Sequence, residues 1–153
     1  MSANLEKKKQ IVEEIKDKVE RAKSLIFIDY CGINVNNDMK MRREFRKANC
    51  DYKVYKNRLV LRAFNELGIQ GYEDKLQRTL AVAFSYDDEV SAAKVAKNAL
   101  ADNPTISIKF GLVDKQFIDE NGVKAFAELP SREVLVAKLL GMLNAPATQL
   151  CQV

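Results

Sequence analysis

The chain reads as an α/β protein, a mixed α+β sandwich with a single central sheet of about four to five strands, helices packed against it and a C-terminal helical tail. Three observations predict this. Helical and extended periodicities alternate in the order αβαβα and then βαββα, the pattern of one sheet layered with helices. Two short runs, Leu25-Ile26-Phe27-Ile28 and Leu80-Ala81-Val82-Ala83-Phe84, are continuously apolar, as strands covered on both faces are. With 153 residues, 47% of them hydrophobic, the chain is long enough to bury about two thirds of the surface it exposes when unfolded.

The first element is an amphipathic helix over 4–23, in which Val12, Ile15, Val19 and Ala22 recur at helical spacing. Residues 24–30 form the first buried strand, and Cys31-Gly32 breaks it. Asn37 or Asp38 caps a second helix over 39–48, with Met41, Phe45 and Ala48 on one face and Arg42, Arg43, Arg46 and Lys47 on another. Asn49 supplies a left-handed cap. Residues 52–55 are a short strand with Tyr52 and Val54 on one face, Lys53 and Tyr55 on the other. Asn57 caps a third helix with the stripe Leu59, Val60, Ala63, Phe64 and Leu67, and Gly68 ends it.

After a loop over 71–77, residues 79–85 form a second buried strand. Asp87, Asp88 and Glu89 open a helix over 90–100, where acidic residues suit the positive end of the helix dipole. Residues 105–113 alternate Ile106, Ile108, Phe110 and Leu112 with small or polar residues, the signature of a half-covered strand. Asp114-Lys115 turns the chain into a strand over 116–118, and Asp119 begins a short helix ending before Pro130. Ser131 caps a last helix over 132–144, and Pro146 interrupts it. The organisation is one α/β domain over 1–128 followed by a helical linker, and the start of a further helix, over 129–153.

Composition excludes several kinds of chemistry. With no histidine there is no Ser-His-Asp or Cys-His pair and no His-liganded zinc. Six glycines form neither GxGxxG nor a phosphate-binding P-loop, and the acidic doublets sit mainly at helix starts or on solvated faces, so no metal, cofactor or enzymatic activity is expected. Cys31, Cys50 and Cys151 are odd in number and widely spaced, which fits free thiols in a reducing, cytosolic compartment. The lysines near the N-terminus precede no apolar signal-peptide core, and no apolar stretch is long enough to suggest a membrane span.

The formal charge of +4 hides an asymmetry: residues 1–62 hold 16 basic and 9 acidic side chains, the remainder 9 and 12. Residues 39–62 alone carry nine cations against Glu44 and Asp51. Such a segment is either a solvated face or a docking surface for a polyanion. Within it Tyr52-Lys53-Val54-Tyr55-Lys56-Asn57-Arg58 places cations and aromatics on a strand that runs into a helix start, an arrangement suited to RNA phosphates. The competing reading packs Tyr55 in the core and leaves Lys53 and Lys56 in solvent. The candidate cations flanking this segment are Lys7, Lys8, Arg42, Arg43 and Arg62.

Four segments, in their order and spacing, resemble the bacterial-type family of large-subunit ribosomal protein ten, the stalk-base proteins. They are Asp29-Tyr30-Cys31-Gly32, the run Tyr52 to Leu59, Ala93-Lys94-Val95, and Leu129-Pro130-Ser131-Arg132-Glu133, and the likeness covers 5–153. The resemblance implies a non-enzymatic α/β domain bound to large-subunit rRNA at the GTPase-associated centre, with the loop Tyr30-Cys31-Gly32 and the segment holding Lys53, Tyr55, Lys56, Asn57 and Arg58 facing the RNA. It also implies ribosomal protein eleven as a neighbour and a C-terminal helix carrying dimers of the acidic stalk protein, which recruit translational GTPases.

Three departures stand out. Cys31 replaces a usual Arg, Arg58 replaces a usual Thr and returns a cation nearby, and only the first residues of the long C-terminal helix, marked by Leu150 and Val153, are represented. Either the chain is a piece of a longer one or stalk-dimer binding is expected to be reduced. A ribosome-assembly factor on the same rRNA site is the alternative, and the retained linker over 129–143 argues against it. A small enzyme using a carboxylate or thiol is disfavoured by the missing histidines and P-loop.

Overall fold

Strand β1 (Ser24–Asp29) is buried along its whole length, which requires cover on both faces and neighbours on both sides. The structure is a computed structural model describing residues 3–130 and 132–152. In it β1 follows α1 (Ala3–Arg21) and is followed by α2 (Val35–Lys47), β2 (Cys50–Val54), α3 (Asn57–Glu66) and β3 (Leu80–Ser85). Then come α4 (Ser91–Asp102), β4 (Ser107–Val113), β5 (Gln116–Asp119), α5 (Glu120–Glu128) and α6 (Arg132–Gln152), the predicted order as far as the last helix. The five strands make one sheet in the order β2-β3-β1-β4-β5, with every neighbouring pair antiparallel.

Alternation along β1 divides the core in two. Leu25 and Phe27 join α1 and α3 on one face, while Ile26 and Ile28 join α2, α4 and α5 on the other. On the first face Phe27 stacks on Phe110, with ring centroids 4.3 Å apart, and meets Phe64 edge-on. On the second, Ala92, Ala93, Ala96 and Ala99 of α4 are buried, and their small side chains let the helix lie close to the sheet. The sheet ends in two short edges, the five-residue β2 with Asp51 and Lys53, and the four-residue β5 with Asp119.

Asn49 and Gly68 end their helices with φ of 54° and 74°, in the left-handed region the caps require. Helix starts depart from expectation. Helix α2 begins at Val35 after Asn34, because Asn37 and Asp38 are engaged sideways, Asn37 with Asn103 and Asp38 with Arg42 one turn on. In α3 the cap position belongs to Lys56 and Asn57 is the first helical residue, its amide spent on the loop before β3. Ser131, the expected cap of the last helix, lies outside the described residues. Helix α6 is not interrupted at Pro146 and continues to Gln152: proline removes one backbone donor, and the surrounding turns keep their own. Its residues 133–143 are exposed on all sides, among them Leu135, Leu139, Leu140, Met142 and Leu143.

Helix α5 presses closely on β4. A Cβ at Gly111 would lie 2.9 Å from Val123 Cγ2 and 3.2 Å from the Leu25 carbonyl oxygen. Gly111→Ala is therefore expected to cost about 1–3 kcal/mol through overpacking, read as a lowered midpoint in chemical denaturation with an unchanged slope.

Candidate nucleic-acid interface

Antiparallel pairing gathers distant chain segments at one end of the sheet. Asp29 at the end of β1 stands opposite Leu80 and Ser107, and Val54 at the end of β2 stands opposite Ala81. The turn Tyr30-Cys31-Gly32, the β2–α3 junction and the loop entering β3 therefore share one rim. Cys31 Sγ lies 2.6 Å from Thr79 Oγ1, and the Cys31 N–H donates to Asp29 Oδ1 at 3.2 Å, which together fix the turn against that loop. Gly32 has φ +81°, a backbone conformation that residues other than glycine rarely adopt.

Beside this rim a cleft of about 980 Å³ opens between the first turns of α1, the start of α3 and residues 78–80. Five cations line it, Lys8, Lys56, Arg58, Arg62 and Arg78. Among the described residues no acidic side chain joins that lining, and none of the five cations forms a salt bridge. The wall is pinned by Asn57, whose amide donates to the carbonyls of Leu76 at 3.2 Å and Arg78 at 2.5 Å. Arg78 is held there with φ 68°, unusual for a residue other than glycine.

Arg78 and Thr79 are absent from the sequence-based candidates. A single cation in a loop of mixed charge carries no periodic signal, and only the β2–β3 and β1–β3 pairings bring it to the cleft.

The remaining candidates separate. Strand β2 starts two residues earlier than predicted and ends at Val54, with Tyr55 directly after it, and α1 covers the side on which Lys53 and Tyr55 lie. Tyr55 lines the cleft but is thereby only 7% exposed and packs edge-on against Phe84, which leaves its ring little surface on which a base could stack. Its hydroxyl donates to Glu14 at 3.2 Å. Lys53 is not a free cation either, since it donates to Glu14 at 2.7 Å. Arg42 and Arg43 lie on α2, which packs on the other face of the sheet, and Arg42 is bound to Asp38 at 2.8 Å with its guanidinium over the Tyr52 ring. Lys7 is exposed on α1 and does not line the cleft. The side chain of Leu150 and the whole of Val153 fall outside the described residues.

Glu14 is the hub that ties α1 to the edge strand. The hydrogen bond from Lys53, with that from Lys18, outweighs the opposing effect of burial and holds its carboxyl at about 2, against an ordinary 4.5. Burial works against charge on Lys18, but Asp51 at 2.6 Å and Glu14 at 3.1 Å outweigh it and raise its pKa.

Residues 3–99 match the family described as ribosomal protein L10, and residues 129–153 match the ribosomal protein uL10 C-terminal region. The chain belongs to the ribosomal protein L10 family. It is 45% identical to large ribosomal subunit protein uL10 of Finegoldia magna over 145 residues, 95% of this chain and 81% of that protein. Against the uL10 of Thermoanaerobacter sp. the identity is 47% over 98% of this chain and 85% of the relative; against that of Clostridioides difficile it is 42%, over 97% and 89%. This L10-family chain is a structural, non-enzymatic component of the large ribosomal subunit. No helix among its described residues is long and apolar enough to cross a membrane.

The Glu14 hub carries a definite pH dependence. Because its folded pKa is depressed, its contribution is complete above about 4.5 and is lost as pH falls toward about 2. The partners are partly solvated, so each ion pair is expected to contribute only about 0.2–1 kcal/mol. Glu14→Gln should lower stability by an amount of that order at pH 7 and remove this component of the fall between pH 4.5 and 2, measured by urea denaturation at several pH values.

Proposed function

We propose that the basic cleft and the adjoining Tyr30-Cys31-Gly32 turn bind large-subunit rRNA, and that residues 1–128 act as the RNA-anchored unit at the base of the ribosomal stalk. The observation that carries this reading is the acid-free lining of Lys8, Lys56, Arg58, Arg62 and Arg78. Five cations around one opening concentrate positive potential where a phosphate backbone can lie, and none must first be released from an ion pair. The N–H groups of Asn57 and Arg58 lie in the first turn of α3, ahead of the helix's own hydrogen bonds, and add donors on the same wall. RNA is read here through shape and phosphates, with base stacking on Tyr55 removed from the scheme by that residue's burial. Within the large subunit this reading puts the domain at the GTPase-associated centre, with ribosomal protein eleven as neighbour.

The second half of the function rests on α6. Its exposed apolar residues between Val134 and Leu143 provide a surface for a protein partner, and the match of residues 129–153 to the uL10 C-terminal region supports the acidic stalk dimers as that partner. The same match favours a stalk base over an assembly factor on the same RNA.

Two measurements test these assignments. Binding to a stalk-base rRNA fragment should weaken with salt, by about 0.7–0.9 log units in affinity per log unit of salt for each phosphate contacted. The pair Arg62→Glu and Arg78→Glu should weaken binding and flatten that slope, whereas a flat dependence for the parent protein rules out the cleft as an RNA site. For α6, Leu139→Asp with Leu143→Asp should reduce the mass of the complex formed with the acidic stalk protein and leave rRNA affinity unchanged.

A further inference from the structure

The cleft accounts for only part of the positive charge in the first half of the chain. Helix α2 carries Lys40, Arg43, Arg46 and Lys47, all exposed and none in a salt bridge among the described residues. At about 100° per residue these four fall within one arc, opposite the buried Met41 and Phe45. Lys40, Arg43 and Lys47 run along the helix at i, i+3 and i+7, a span of roughly 10 Å at about 1.5 Å per residue. The acidic residues of α2 lie off that arc: Asp38 is held by Arg42, and the half-buried Glu44 flanks the buried side. Among the charged residues of α2 that arc therefore carries cations only, with Lys40 at its edge also bordering a depression shared with Glu44 and with Asp102 of α4.

Its position separates it from the cleft. Helix α2 belongs to the core containing Ile26, Ile28 and α4, whereas α1 and α3, which frame the cleft, belong to the core on the other side of the sheet. Helix α2 also runs from the cleft end of the sheet back toward Cys50, which pairs with Ser85 at the far end. The sheet and its covering helices therefore stand between the cleft and this helix face.

We infer that the outward face of α2 is a second RNA-backbone docking surface, engaging a segment of rRNA different from the one in the cleft. The inference rests on the proposed rRNA role and extends it from one surface to two. Its chemistry is charge complementarity with phosphate, since four cations on a rigid helix neutralise a backbone without ordering any loop. The sheet is then held between two RNA segments, and the protein fixes their relative placement.

Hydroxyl-radical footprinting and salt titration on a stalk-base rRNA fragment test this with three proteins. These are the parent, a helix variant (Lys40→Ala, Arg43→Ala, Lys47→Ala) and the cleft variant (Arg62→Glu, Arg78→Glu). Alanine favours the helical state, and circular dichroism checks that the helix variant is folded. The expected result is a slope shallower by about 2 to 3 for the helix variant and loss of protection at one RNA segment, with the cleft-protected segment unchanged. The cleft variant should show the converse, and the two affinity losses should multiply when combined. A conservative variant, Lys40→Arg with Lys47→Arg, should retain both footprints.

The inference is overturned if the helix variant matches the parent in slope and footprint. It is equally overturned if both variants lose the same nucleotides. Failure of the parent itself to bind the fragment overturns the rRNA reading as a whole, and is told apart because it appears before any substitution is made.

Discussion

The full burial of β1 is the constraint on which the rest of the architecture depends. A strand covered on both faces needs two helical layers, and a strand with neighbours on both sides fixes where the chain can return. Antiparallel pairing with β3 brings Leu80 opposite Asp29, and so sets Arg78 and Thr79 beside the turn that follows β1. Cys31 and Thr79 are 48 positions apart in the chain, yet they touch through Sγ and Oγ1. The cleft is thus a product of strand register. Its cations come from α1, from α3 with the residue before it, and from the loop entering β3, segments that meet only because β1, β2 and β3 align their ends.

Most elements are legible in the sequence because their signals are local. The apolar runs at 25–28 and 80–84, the stripe Val60, Ala63 and Phe64, and the left-handed caps at Asn49 and Gly68 each declare themselves within a few residues. Helix starts are less legible, since Asn37, Asp38 and Asn57 are good capping residues in isolation and are drawn away by partners that the capping pattern does not include. Pro146 misleads for a different reason: the loss of one donor need not end a helix.

The candidate site is legible as a charged segment and illegible as a surface. Lys56, Arg58 and Arg62 reach the cleft and the buried Tyr55 forms part of its wall, whereas Lys53 is claimed by Glu14, which precedes it by 39 positions and also accepts from the Tyr55 hydroxyl. Alternation separates the face of β2 bearing them from the face bearing Tyr52, but which face a helix covers is decided by the whole chain. Arg78 lies outside the basic run, so charge density along the sequence has no means of including it.

The short sheet edges bear on how the protein behaves before it meets any partner. Exposed strand edges present unpaired donors and acceptors that can recruit another chain, and long apolar ones nucleate aggregation. Here one edge is five residues long and carries Asp51 and Lys53, which α1 secures through Lys18 and Glu14; the other is four residues long and ends at Asp119, which Lys75 engages at 3.1 Å. Short, charged edges of this kind disfavour edge-to-edge pairing of free copies, a role that does not depend on how much each ion pair contributes to folding.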